Sequence, residues 1–182
     1  MFEIFQKRVK LSSVNPRAEI HGDKKKAACD LKLEYAAENE VLYDFDAGLL
    51  PALYTVPEDQ QDLIEPGRLS QLRFPKAGAF KWDLSCKGYT LEIDYGMGGP
   101  LSDIILGGVD IDGFKLVPQN GGTVIVVFRA VVHPDEVAFG KLCSLVQQDI
   151  TLTLRAPAPN TIGELFGDEP QQQPEPETAD EE

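Results

Sequence analysis

The sequence predicts a mainly β fold, a β-sandwich or OB-like barrel with one or two short helices, followed by a disordered acidic C-terminal tail. Three observations lead there. Residues 29–35 alternate apolar Cys29, Leu31, Leu33 and Tyr35 with polar Asp30, Lys32 and Glu34, the period-two pattern of a strand with one wet face. Further runs rich in Val, Ile, Thr, Phe and Tyr are separated by glycine and asparagine, residue types that accept positive φ cheaply in turns. The composition then changes at Glu164, beyond which eight acidic residues stand with no basic one.

Taken in chain order, strands are expected over residues 2–11, 29–35, 69–74, 89–95, 104–111, 114–117, 123–132 and 150–155. Asn120-Gly121-Gly122 marks a hairpin between 114–117 and 123–132. Asp112-Gly113 reads either as a second tight turn or as a bulge in one strand running straight through it. Residues 44–53 carry Phe45, Leu49, Leu50 and Leu53 at helical spacing, but Gly48 and Pro51 limit any helix there to one or two turns. A firmer helix signal begins at Pro134. A proline and two acids, Asp135 and Glu136, precede a stripe of Val137, Ala138, Lys141, Leu142 and Leu145 at helical spacing.

A chain of 182 residues with 42% hydrophobic content holds one core comfortably, so residues 1–163 are expected to form a single β-rich domain. Residues 164–182 combine a glutamine run with Pro174-Glu175-Pro176-Glu177 and bury too little apolar area to offset the entropy of ordering them. Just before that tail, Ala156-Pro157-Ala158-Pro159 makes a stiff exit, and Ile162, Leu165 and Phe166 form a short apolar anchor. The net charge of -13 is concentrated in the tail, and residues 1–163 hold 22 acids against 17 bases. No apolar run approaches the roughly 18 to 20 residues that span a bilayer, and residues 1–10 alternate instead of forming a signal-peptide block. The three cysteines, Cys29, Cys86 and Cys143, lie singly, a pattern suited to a reducing compartment.

Catalytic and metal chemistry find little to stand on. Gly96-Met97-Gly98-Gly99 lacks the Lys-Ser or Lys-Thr that a phosphate-cradling loop requires. Asp110-Ile111-Asp112-Gly113 opens like a calcium loop but lacks the third ligand and the closing glutamate. His21 and His133 have no cysteine pair near either, so no zinc set assembles. His21-Gly22-Asp23 with Ser12 or Ser13 is the one grouping with general-base potential, and no nucleophile elbow supports it. No enzyme activity, metal or cofactor is therefore expected.

Binding chemistry is easier to locate. Between residues 73 and 89, Arg73, Lys76, Lys81 and Lys87 interleave with Phe74, Phe80, Trp82 and Tyr89, with Asp83 the single acid. Single-stranded nucleic acid is held by stacking on aromatic faces and by neutralisation of its backbone, each stacked base being worth about 1 to 3 kcal/mol. Lys24, Lys25 and Lys26 add a second basic cluster, read either as part of the same surface or as a solvated loop. The competing reading of the first cluster is a strand with Phe80 and Trp82 turned into the core and the lysines outward.

The strings Ser13-Val14-Asn15-Pro16-Arg17-Ala18-Glu19-Ile20-His21-Gly22-Asp23, Leu72-Arg73-Phe74-Pro75 and Gly88-Tyr89-Thr90-Leu91-Glu92-Ile93-Asp94-Tyr95-Gly96 resemble a group of small bacteriophage and prophage proteins. The resemblance covers most of residues 10–155 and implies a phage gene product in the host bacterial cytoplasm, from a replication or recombination module. The general plan is also similar to phage single-strand-binding proteins, which join an OB-like body to an acidic tail. Such tails commonly end in an aromatic residue, whereas this one ends Asp180-Glu181-Glu182. The leading expectation is a single-stranded DNA-binding accessory protein whose acidic tail recruits a protein partner. The alternative is a phage interaction protein or inhibitor that covers a basic surface of a host protein, and a virion structural role is a third.

Overall fold

The computed structural model describes residues 1–21, 24–57, 67–96, 99 and 102–158. The expected acidic tail, together with Ile162, Leu165 and Phe166, lies outside the described residues. β1 (Ile4–His21) and β2 (Lys24–Glu38) form a long antiparallel hairpin. Cys29, Leu31 and Leu33 of β2 are buried while Lys32 is exposed, the arrangement their alternation dictates.

Two features of this hairpin differ from the expected strand at 2–11. β1 continues to His21 through Ser12, Ser13, Asn15 and Pro16, residues that favour turns. A bulge at Ser12 resets the register, and the ladder with β2 then overrides local preference by pairing Ser13 with Lys32 and His21 with Lys24.

β6 (Cys86–Asp94), β7 (Ile104–Gln119) and β8 (Thr123–Val132) follow as an antiparallel meander. The chain then forms α2 (Glu136–Ser144) and returns as β9 (Asp149–Arg155) between β6 and β1. β9 lying beside β6 completes a Greek key. Among the described residues six strands close into a barrel in the order β1–β2–β8–β7–β6–β9 and back to β1, every neighbour antiparallel. The fold is therefore mainly β with few short helices, as its sequence pattern implies, and closure leaves the ring itself without a free edge.

β7 is one strand, and Asp112-Gly113 is a bulge within it, not a turn. Asp112 pairs with Arg129 and Lys115 with Val127, so Gly113 and Phe114 together oppose Phe128. Gly113 has φ +65, the conformation a glycine adopts at no side-chain cost. The bulge switches the inward phase from Val109 and Ile111 to Phe114 and Leu116, all buried, and so turns Lys115 to the outside. Phe114 then meets Phe2, Phe45 and Phe128 at ring-centroid distances of 5.3, 5.3 and 5.9 Å. These are productive aromatic separations within the barrel core.

The remaining elements dress the barrel. A 3₁₀ turn (Asn39–Asp44) and α1 (Leu49–Leu53) follow β2. β3 (Tyr54–Thr55) pairs with β4 (Gln71–Leu72). The strand expected at 69–74 is thus cut to two residues, because its partner offers only two and Pro75 ends the run. Tyr54 is fully buried and its hydroxyl donates toward the carbonyls of Gln119 and Thr123, both at 2.9 Å, and accepts from the Gln119 N–H at 3.1 Å. One phenol therefore ties both arms of the β7–β8 turn. Tyr54→Phe removes that tie and is expected to lower stability by about 1–3 kcal/mol in urea unfolding, since the carbonyls lose their donor.

α2 starts where Pro134-Asp135-Glu136 indicate, with the Asp135 side chain accepting from the Ala138 N–H at 2.7 Å. Leu142 is its fully buried residue, and Lys141 Nζ donates to the Ser102 carbonyl at 2.7 Å while lying 5.1 Å from the Tyr95 ring centroid. No helix among the described residues is long and apolar enough to cross a membrane.

Candidate nucleic-acid interface

The aromatic and basic segment is laid antiparallel alongside the second half of β7. At its start, the Gly121 N–H donates to the Ser70 carbonyl and Asn120 Oδ1 accepts from the Leu72 N–H, at 2.9 and 3.2 Å. β5 (Phe80–Lys81) comes next, pairing Phe80 with Leu116 and Lys81 with Lys115. The Trp82 backbone N–H then donates to the Phe114 carbonyl at 2.9 Å, and Cys86 closes the run opposite Ile111.

Within that path the rings separate. Tyr89 is only 3% exposed and belongs to the core, so its assignment as a stacking surface is corrected. β6 alternates with Tyr89, Leu91 and Ile93 inward, which leaves no choice of face. Phe80 and Trp82 are half-buried against the core, as the competing strand reading expects. Trp82 nevertheless lines an open groove of about 640 Å³, walled also by Lys81, Asp83, Ser85, Asp112 and Arg129. Phe74 is 60% exposed on the turn closed by the Ala77 N–H to the Phe74 carbonyl.

The cations divide in the same way. Lys76, Lys81, Lys87 and Arg73 are all exposed, but Arg73 is tied down, its Nε donating to the Tyr54 carbonyl at 3.0 Å. Lys24, Lys25 and Lys26 open β2 opposite His21, Ile20 and Glu19, beyond the part of β2 that pairs with β8. Strand rise puts Lys26 about 20 Å from Lys32, so this cluster is not brought to the groove.

Three neighbours of the groove escape a reading of the sequence alone. Lys115 stands directly opposite Lys81, Arg129 opposite Asp112, and Lys32 opposite Arg129, all on the outer face. The signal for Lys115 is present in the sequence as the apolar phase change across Asp112-Gly113, but its register with Lys81 is not. Among the described residues Lys81 and Lys115 have no ion-pair partner, and like charges directly opposed on a sheet are destabilising.

Arg129, in contrast, is fully engaged. Its Nε and Nη2 donate to Asp112 Oδ1 and Oδ2 at 2.7 and 2.6 Å, and its Nη1 lies 3.6 Å from Asp30. Arg17 bridges Asp30 and Glu19 at 3.3 and 2.7 Å, and Glu19 meets His133 Nε2 at 3.0 Å. Alternating charges thus cross four strands and hold one wall of the groove in place. The hydrogen bonds from Arg129 hold the Asp112 carboxyl below its ordinary range against the opposing effect of partial burial. A depressed carboxylate stabilises the fold above its unfolded pKa and loses that contribution as pH falls through the folded value. Asp112→Asn is therefore expected to destabilise at neutral pH and to match the unmodified protein in acid, by unfolding measured across pH. The difference is about 1 kcal/mol or less because the pair is partly exposed.

The grouping with general-base potential is not assembled. Ser12 Oγ donates to Glu34 at 2.7 Å, and eight residues of extended β1 put about 26 Å between Ser13 and His21. Asp23 lies outside the described residues. Among the described residues no three His, Cys, Asp or Glu side chains gather as a metal site would need. No family model, curated protein or solved structure matches this chain.

Proposed function

We propose that this protein binds single-stranded nucleic acid along the β5–β7 face. Trp82 supplies a stacking surface in the groove, Lys81 and Lys115 neutralise successive phosphates, and Phe74 with Lys76 extends the track toward the β7–β8 turn. The observation that carries this reading is the Lys81–Lys115 register pair, neither lysine in an ion pair among the described residues, beside a groove lined by Trp82. Two opposed lysines that form no ion pair are available to a polyanion lying across them. The bulge at Gly113 belongs to the same argument, because it aims Lys115 outward while Phe114 stays in the core. The resemblance to phage proteins supports a setting in a replication or recombination module, where the acidic tail would recruit a protein partner.

Trp82 is the one tryptophan of the chain, so its emission is a direct reporter. Titration with oligonucleotides is expected to quench it for single strands and far less for duplex. Log affinity should fall with log salt by about 0.7 per neutralised phosphate. Emission unchanged across a wide range of oligonucleotide lengths and concentrations would remove the reading.

A further inference from the structure

The β1–β2 hairpin outruns the barrel. β9 pairs with β1 only from Ile4 to Lys10, and β8 pairs with β2 only from Cys29 onward. Leu11 still exchanges backbone hydrogen bonds with Gln147 and Gln148. Beyond it, Ser13 to His21 and Lys24 to Ala28 pair with each other as a two-stranded ribbon. The outer side of such a ribbon is a template for a further strand.

Pro16 determines which backbone groups point to that outer side. A proline inside a ladder turns its nitrogen away from the neighbouring strand, so Pro16, Ala18 and Ile20 direct their backbone groups away from β2. None of the three has a backbone hydrogen-bond partner on that side among the described residues. Their side chains share one face of the strand and all are exposed, Ile20 by 73%. An apolar cleft of about 180 Å³ lies between Pro16, Ala27 and Cys29 of the ribbon and Pro134 and Phe139 around the start of α2.

The residues along this edge are their own complement. Antiparallel pairing of two copies about a two-fold axis through Ala18 sets Arg17 opposite Glu19 of the second copy, and Glu19 opposite its Arg17. Pro16 and Ile20 face each other in the same way, which brings the incoming Ile20 beside the apolar cleft. Ala18 exchanges both backbone hydrogen bonds with its counterpart, and each Ile20 N–H donates to a Pro16 carbonyl. Arg17 and Glu19 already meet within one chain at 2.7 Å, so the joint closes the two pairs into a ring of alternating charge. We propose that this protein self-associates as a two-fold dimer through the outer edge of β1 from Pro16 to Ile20, joining two ribbons into one four-stranded sheet. None of these residues lines the Trp82 groove, so the dimer carries two such grooves and forms whether or not they bind nucleic acid.

Sedimentation equilibrium of the full chain is expected to show a monomer–dimer equilibrium at about 1–100 µM, as suits a small joint. Arg17→Glu and Glu19→Arg each set like charges opposite one another in a homodimer, and each is expected to weaken self-association about tenfold. Mixed in equal amounts, the two variants restore it, because every facing charge pair is then of opposite sign. Ala18→Pro removes an outward N–H and leaves the ladder with β2 whole, so it is expected to abolish the dimer with unchanged circular dichroism. A chain that stays monomeric throughout that concentration range overturns the proposal. So does a dimer that survives Ala18→Pro, or a mixture of the charge variants that associates no better than either alone.

Discussion

Replacing Lys81 and Lys115 together by alanine is expected to weaken binding of single-stranded DNA about 25-fold at 0.1 M salt, and to flatten the salt dependence by about 1.4. Both figures come from the same source. Each phosphate neutralised on a single strand releases counterions equivalent to a slope of about 0.7, and two lysines contribute two such contacts. The measurement is the Trp82 titration repeated at several salt concentrations. A second readout separates binding from structure. Because Lys81 and Lys115 are opposed across the ladder and neither forms an ion pair among the described residues, the double substitution is expected to leave unfolding stability unchanged or raised by about a few tenths of a kcal/mol. Lost affinity accompanied by lost stability would instead mean that the lysines hold the fold together. Substituting Lys24, Lys25 and Lys26 serves as the comparison, since they lie away from the groove and are expected to change affinity much less.

Phe114→Ala is expected to cost about 3–5 kcal/mol, enough to unfold a marginally stable domain. Phe114 is the ring that contacts all of Phe2, Phe45 and Phe128, so truncation opens a cavity that three aromatic neighbours cannot collapse to fill. Urea unfolding followed by circular dichroism measures the loss. Because the Trp82 backbone N–H donates to the Phe114 carbonyl, Trp82 emission is expected to report the damage before global unfolding.

Much of the barrel could be read from period-two alternation. Thr123–Val132, the hairpin at Asn120-Gly121-Gly122 and the helix start at Asp135 all stand where local chemistry puts them. What local chemistry could not supply was pairing. Ser12 through His21 lacks a strand signal because its extended state is imposed by β2 across the ladder. The candidate site divides along the same line. Lys81, Trp82, Phe74 and Lys76 were visible as a cluster, but whether a ring faces water depends on the phase of its strand. Tyr89 shows this most clearly, since the Tyr89, Leu91, Ile93 alternation already assigned it to the interior. Lys115 entered the site only through its register with β5, more than 30 positions away in sequence.

The closure of β9 against β1 carries a temporal consequence. Lys7 pairs with Leu152 and Arg8 with Thr151, so the outer ladder of the first strand stays unmet until nearly the whole barrel has left the ribosome. At synthesis rates of about 5–20 residues per second, that interval is on the order of ten seconds. During it the nascent hairpin of β1 and β2 exposes apolar surface and an unpaired edge. Such long-range contacts also slow refolding in vitro into the millisecond-to-second range typical of all-β topologies. High-yield production therefore depends less on the stability of the finished ring than on keeping chains apart while they wait for their last strand.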